Sequence, residues 1–182
     1  EGQIMALLGT NVAEGRIYSW LKASTDLETL IGISTNNRIK VTYSEPHVGI
    51  LGKGPLLVIL LNMSEEDESF PAAKGMLDVR VYIPHTNDVN SADYVEEPTL
   101  LALELRDVIR ERLGPTNVTG LSDTITDDSP STDVRFAQSV PIDSTIDYLE
   151  NSKHFMVSVR FRVVISVEED YSAAAAGNAT WA

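Results

Sequence analysis

The strictest constraint on this chain lies near its end, where Phe155, Val157, Val159, Phe161, Val163 and Ile165 alternate with His154, Ser158, Arg160 and Arg162. Successive side chains of a β-strand point to opposite faces, so a period of two predicts a strand with one core face and one polar face. The same period recurs from Met76 to Pro84: Leu77, Val79, Val81 and Ile83 alternate with Asp78, Arg80 and Tyr82, and Pro84 terminates the strand. An unbroken apolar run, Leu56 to Leu61, predicts a third strand buried on both faces in the sheet interior, entered through a flexible link at Gly49, Gly52 and Gly54.

A layer to cover such a sheet is legible in the middle of the chain. Pro98 suits a first helical turn and Gly114-Pro115 a stop, which predicts a helix over about Glu97 to Leu113. Leu101, Leu105, Val108, Ile109 and Arg112 line one side of it, with Glu104, Asp107 and Glu111 toward the other. Near the start, Ala13 to Gly32 places Ile17, Trp20 and Leu21 on one helical stripe, with Trp20 as a core residue. Ser24-Thr25-Asp26 then offers caps, with Glu28 in capping-box register to Thr25, for a second short helix carrying Leu27, Leu30 and Ile31 and ending at Gly32.

Two further strands complete the pattern. Arg38 to Tyr43 alternates between the Asn36-Asn37 turn and Pro46, and Arg135 to Ile142 is separated from the closing strand by Asp143 to Ser152, which favours antiparallel pairing. Ser64 to Ser69 carries Glu65-Glu66-Asp67-Glu68 and is expected as a solvated loop. Gly114 to Asp133 is rich in Thr, Ser, Asp and Gly, with too little apolar surface to offset the entropy of ordering it, and is expected as a long loop. The expected fold is therefore α+β, a mainly antiparallel β-sheet packed by a long α-helix and an N-terminal helical segment. Residues 1–12 form an extension, residues 13–167 the domain with its long loop at 114–133, and residues 168–182 a flexible tail.

Composition narrows the function classes. At 182 residues and 43% hydrophobic content the chain supports one folded domain. Fourteen Lys and Arg against 27 Asp and Glu give a net charge of −13, which disfavours clasping DNA or an anionic membrane surface. The nine Arg and five Lys, set against that acidic excess, fit either a saline habitat or an acidic assembly surface. Cysteine is absent, which removes disulfides, thiolate metal sites and cysteine nucleophiles. The apolar run Pro55 to Leu61 falls far short of the ~20 residues that span a bilayer, and no signal peptide opens the sequence, so a soluble, unsecreted protein without a membrane partner is expected.

No chemical motif rises above this background. His47, His85 and His154 have no metal-ligand spacing, and Gly52-Lys53-Gly54 lacks the upstream glycine and the hydroxyl residue of a phosphate loop. Neither a G-x-S-x-G elbow nor a G-x-G-x-x-G turn is present. Asp123, Asp127, Asp128 and Asp133 do not follow the alternation of a calcium loop and are expected to be solvated. No catalytic, cofactor-binding or metal-binding residue is therefore assigned, and no cofactor is expected. Trp181, one residue from the end of an Ala-rich tail, is either an exposed end or an anchor onto another subunit.

The order of elements resembles the tail-terminator and tail-completion (neck) proteins of tailed phages. The resemblance rests on Trp20-Leu21-Lys22 through Leu27-Glu28-Thr29-Leu30-Ile31-Gly32, Arg38-Ile39, Pro55 to Leu61, Gly75 to Tyr82, Asp147 to Glu150 and His154 to Val163, and spans about Gly15 to Val167. It implies a non-enzymatic virion protein, assembled in the host cytoplasm. Such a protein forms a homohexameric ring at the head-proximal end of the tail tube, ends tube polymerisation and joins tail to head. The implied partners are further copies of the chain, the tail tube protein and a neck or head-completion protein, with DNA passing through the lumen without specific binding. In that setting an acidic lumen repels phosphates, and Asp123, Asp127, Asp128 and Asp133 become candidates for a lumen-facing or partner-facing loop. The alternatives are a neck or head-completion connector subunit and, from another class, a small acidic enzyme using Asp and Glu as acid and base.

Overall fold

The computed structural model describes residues 13–33, 38–41, 54–66, 72–117 and 133–168. Two helical segments open the described chain, α1 at residues 13–22 and α2 at Thr25–Ile31. The strands are β1 (Ile39–Val41), β2 (Leu56–Glu66), β3 (Ala72–Pro84), β4 (Asp133–Leu149) and β5 (His154–Glu168); α3 (Pro98–Arg112) follows β3. They form one sheet in the order β1-β2-β3-β5-β4, antiparallel throughout except for the parallel β1–β2 pair. The expected α+β class is what the structure has.

One face of this sheet holds the core. Leu57, Ile59 and Leu61 of β2, Leu77, Val79, Val81 and Ile83 of β3 and Val157, Val159, Phe161, Val163 and Ile165 of β5 are all buried in one cluster, together with Ile17, Leu21, Leu27, Ala102, Leu105 and Ile109 from the helices. Each odd-numbered β5 residue from Phe155 to Ile165 pairs across the ladder with an apolar β3 residue or Gly75, for example Phe161 with Leu77 and Val159 with Val79. Burying such a side chain contributes roughly 1.5–3 kcal/mol, which is why the period of two is so strictly kept there. α3 packs on β5 and reaches β3 and β4 on either side of it, so it covers the β3-β5-β4 part of this face.

The helical layer is clamped by polar contacts. Trp20 Nε1 donates to the Arg112 carbonyl at 2.8 Å, and the Arg112 guanidinium donates back to the Trp20 carbonyl at 2.9 Å and 3.2 Å. The same guanidinium stacks 3.8 Å from the Trp20 ring centroid, a cation–π contact that explains an arginine on the apolar side of α3. Burial lowers the Arg112 pKa from its ordinary value, and nearby Asp26 opposes that shift. At the end of α3, the buried Ser139 hydroxyl of β4 donates to the Leu113 carbonyl, satisfying a helix-terminal acceptor. A Cβ on Gly114 would stand 2.6 Å from the Arg110 carbonyl oxygen, so only glycine lets the chain turn away so closely.

Several boundaries differ from the sequence expectation. The α2 N-cap is Ser24, whose hydroxyl accepts from the Leu27 amide at 3.3 Å, one residue before the Thr25 position of the expected capping box; Gly32 closes the helix with φ 59°. β2 continues past Leu61 to Glu66, because antiparallel pairing with β3 uses backbone groups that an acidic sequence still supplies. β2 is interior but second from the edge; the middle strand is β3.

The largest difference is in β4. It runs to Leu149, so Asp143 to Leu149, expected as connection, is strand, and only residues 150–153 turn, with Lys153 at φ 54°. Asp133 is correspondingly the first residue of β4, in register with Glu168, and not a loop residue. The ladder keeps pairing after the point where the alternation fails because the backbone bulges there. In the expected loop Pro115–Asn117 form a 3-10 turn, while residues 118–132 lie outside the described residues. So do the expected extension at residues 1–12, His47 and all of the expected tail except residue 168.

Candidate assembly surface

The second face of the sheet carries no helix among the described residues, and it grades from dry to exposed. At one corner Leu56, Val58 and Tyr82 are buried, with Leu60, Leu149 and Met156 packed around them. Next to them lies an ionic cluster. Asp78 Oδ2 sits 2.7 Å from Arg80 Nη2 and accepts from Arg80 Nε at 2.8 Å, its Oδ1 accepts from the buried Ser158 hydroxyl at 2.8 Å, and Arg160 Nε lies 3.8 Å away. The Asp78 and Arg80 side chains are each less than 15% exposed, a setting in which an uncompensated charge is costly and a hydrogen-bonded ion pair is favoured.

Beyond the cluster the face becomes exposed and basic. The ladder places Met76, Arg162 and Val140 in one cross-strand row, Lys74, Val164 and Gln138 in the next, and Asp78, Arg160 and Asp143 in the row on the other side. Arg160 thus stands between two carboxylates. Arg162 has only Met76 and Val140 as cross-strand neighbours, with Lys74 on the adjoining row. Met76 is 40% exposed, Arg162 and Lys74 are exposed, and Val140 and Val164 are half-buried. The patch is an arginine on an apolar platform, the kind of residue and setting that anchors protein contacts.

The sheet edges offer less. β4 is an edge strand of 17 residues, but Pro141 removes one donor and register shifts between Phe136 and Gln138 and between Pro141 and Asp143 distort the ladder. Such irregularities are how natural sheets blunt an edge against strand addition. The face, rather than the edge, is therefore the better candidate for a docking surface.

The candidate residues taken from sequence are not gathered here. Asp123, Asp127, Asp128 and Trp181 lie outside the described residues, and Asp133 begins β4. The described histidines have structural surroundings: His85 meets the Tyr148 and Phe155 rings edge-on at 5.8 Å and 5.3 Å, and His154 is buried with Nδ1 2.6 Å from the Ser152 carbonyl. Among the described residues no group of three or more His, Cys, Asp or Glu side chains is arranged to hold a metal ion, and no helix is long and apolar enough to cross a membrane.

Alternation alone gives Asp78, Arg80, Arg160 and Arg162 as polar positions of two strands, and Lys74 falls outside the expected strand Met76 to Pro84. A signal is present: three of those four strand residues are basic in a chain where acids outnumber bases 27 to 14. What was missing was the strand order, since Asp78 and Ser158 are 80 positions apart and meet only because β3 and β5 are neighbours.

No protein-family model matches the sequence, and no curated protein matches it either. Comparison with solved structures does give a match: a chain in the structure described as "Virion of native gene transfer agent (GTA) particle", with a TM-score of 0.53 and 11% sequence identity, covering 82% of this chain and 91% of that one. At that identity the likeness is one of fold, and it extends over most of both chains.

Proposed function

We propose that this protein is a structural subunit of a phage-like virion that forms a closed ring at the head-proximal end of a tail tube, ending tube growth and joining tail to head. The observation that carries the reading is the fold likeness to a chain of a gene transfer agent particle, across 82% of this chain. Two features support it. The polar cluster of Asp78 with Arg80 and Ser158 is committed to internal ion pairing and hydrogen bonds, which suits a rigid platform better than acid–base chemistry. The net charge of −13 gives a ring lumen a field that repels phosphate, so that a genome passes without sticking.

In this reading the chain is not an enzyme. Its partners are its own copies, most simply six, together with a tube protein on one side and a neck or head-completion protein on the other. Residues 118–132, with Asp123, Asp127 and Asp128, and the Trp181 tail are the segments we assign to lumen or partner contacts. A neck connector subunit shares the ring requirement and differs in which proteins it touches. Purified protein is expected to give closed rings in negative-stain images and a multiple of the 19.9 kDa chain mass by light scattering. A strictly monomeric protein at tens of micromolar would overturn the ring. Removing the gene product from its particle separates the two assembly roles: overlong tails mark a terminator, and finished tails unattached to heads mark a neck subunit.

A further inference from the structure

We infer that the basic patch on the helix-free sheet face is the socket for a second copy of this chain, and that what enters it is the outer stripe of α3. The inference rests on the ring reading above and specifies which surfaces close it. The socket is centred on Arg162, with Lys74 beside it and Met76, Val140 and Val164 as the apolar floor. Arg162, whose cross-strand neighbours Met76 and Val140 are apolar, gives the socket a positive centre, so an acidic surface is what it selects.

The chain itself carries a surface that fits. On α3, Leu100, Leu103, Glu104, Asp107 and Glu111 fall at helical spacings of three, four, seven and eleven from Leu100 and therefore share one stripe. All five are exposed, and Leu100 and Leu103, at 48% and 36%, are unusually open for leucine. The other side of the helix buries Ala102, Leu105 and Ile109 in the core, so the stripe points away from the sheet. Two leucines match the apolar floor, and the acidic residues Glu104 and Glu111 match Arg162 at its centre. Asp107 is already drawn toward Arg106, 2.8 Å away, and contributes less. From Leu100 to Glu111 the stripe is about 16 Å long, and three strands by three rows of socket span roughly 10 by 13 Å, so the two are commensurate.

Stripe and socket lie on opposite sides of the two-layer domain. A contact between them is heterologous: each copy offers a stripe to one neighbour and a socket to the other, which builds a closed ring when the rotation closes. A nucleic acid is the poorer occupant. Phosphates would gain nothing from exposed Met76, and Arg160 in the adjoining row lies between Asp78 and Asp143, which offset its charge.

The arrangement has a specific test. A socket variant, Arg162→Glu, brings like charges together at the contact, as does a stripe variant, Glu104→Lys with Glu111→Lys. Each is expected to weaken self-association about a hundredfold or more and run as a monomer by sedimentation velocity, with unchanged circular dichroism. Mixed one to one, the two variants restore complementary charge at every alternating contact, and the wild-type mass should return. Wild-type mass in both single variants would overturn the socket while leaving the ring standing. A monomeric wild type would remove ring and socket together. Loss of duplex DNA binding in the socket variant, with its mass unchanged, would reassign the face to nucleic acid and overturn the inference.

Discussion

The two faces of the sheet are built from the same strands and obey different rules. On the core face, Leu77, Val79, Phe161 and Val159 have no alternative to burial, and identity matters through volume and shape. On the other face, residues one position along the same strands form a graded series, from buried Leu56 and Val58 through the Asp78–Arg80 cluster to exposed Arg162. The difference teaches that the core face fixes the fold while the second face is open to selection for contacts, and substitutions should separate the two.

The largest effect belongs to the core. Phe161→Asp would place an unpaired carboxylate among Leu77, Val159 and Val163, which costs several kcal/mol and should abolish soluble expression. Recovery of folded Phe161→Asp protein at wild-type yield would mean that the faces are assigned the wrong way round.

The intermediate case is the ionic cluster. Asp78→Ala removes the carboxylate shared by the nearly buried Arg80 guanidinium and the Ser158 hydroxyl, and is expected to cost about 2–4 kcal/mol in chemical denaturation, less than a fully buried ion because some water reaches it. A loss under about 0.5 kcal/mol would place this cluster with the exposed patch rather than with the core.

How much of this was legible in sequence follows from where the alternation survives. β3 and β5 keep a clean period of two, and their core residues could be named in advance. β4 does not. Its core-facing positions are Phe136, then Ser139 and Pro141, then Ser144, Ile146 and Tyr148, because register shifts on either side of Ser139 and Pro141 switch the parity twice. Half of these positions are serine or proline, so neither hydropathy nor period marked the strand past Ile142. The stop at Gly114 was readable from its glycine and proline. The reason only glycine fits, a backbone carbonyl 2.6 Å from where a Cβ would stand, required the fold.

That position gives a smaller core-side effect. Gly114→Ala should destabilise by about 1–3 kcal/mol, since the obstruction is backbone and cannot rotate away, and the Ser139 bond to Leu113 would be strained with it. Thermal melting checks it, and a neutral result would show that the end of α3 adjusts freely.

The smallest expected change is the one that most sharpens the contrast. Arg160 differs from Phe161 by one position, yet its side chain is half exposed and its Nε lies 3.8 Å from Asp78, beyond a good hydrogen bond. Asp78 keeps its two shorter contacts, to Arg80 and Ser158, when Arg160 is removed, so no buried charge is stranded. Exposed ion pairs of this kind contribute about 0–1 kcal/mol because water and salt screen them and ordering the long side chain costs entropy. Arg160→Gln should therefore shift stability by no more than about 0.5 kcal/mol at 0.15 M salt, while Phe161→Ala next to it costs about 3–5 kcal/mol. Urea denaturation of the two variants side by side measures the asymmetry. If Arg160→Gln fell as far as Phe161→Ala, the second face would be a structural layer in its own right and a poor place to seek a docking surface.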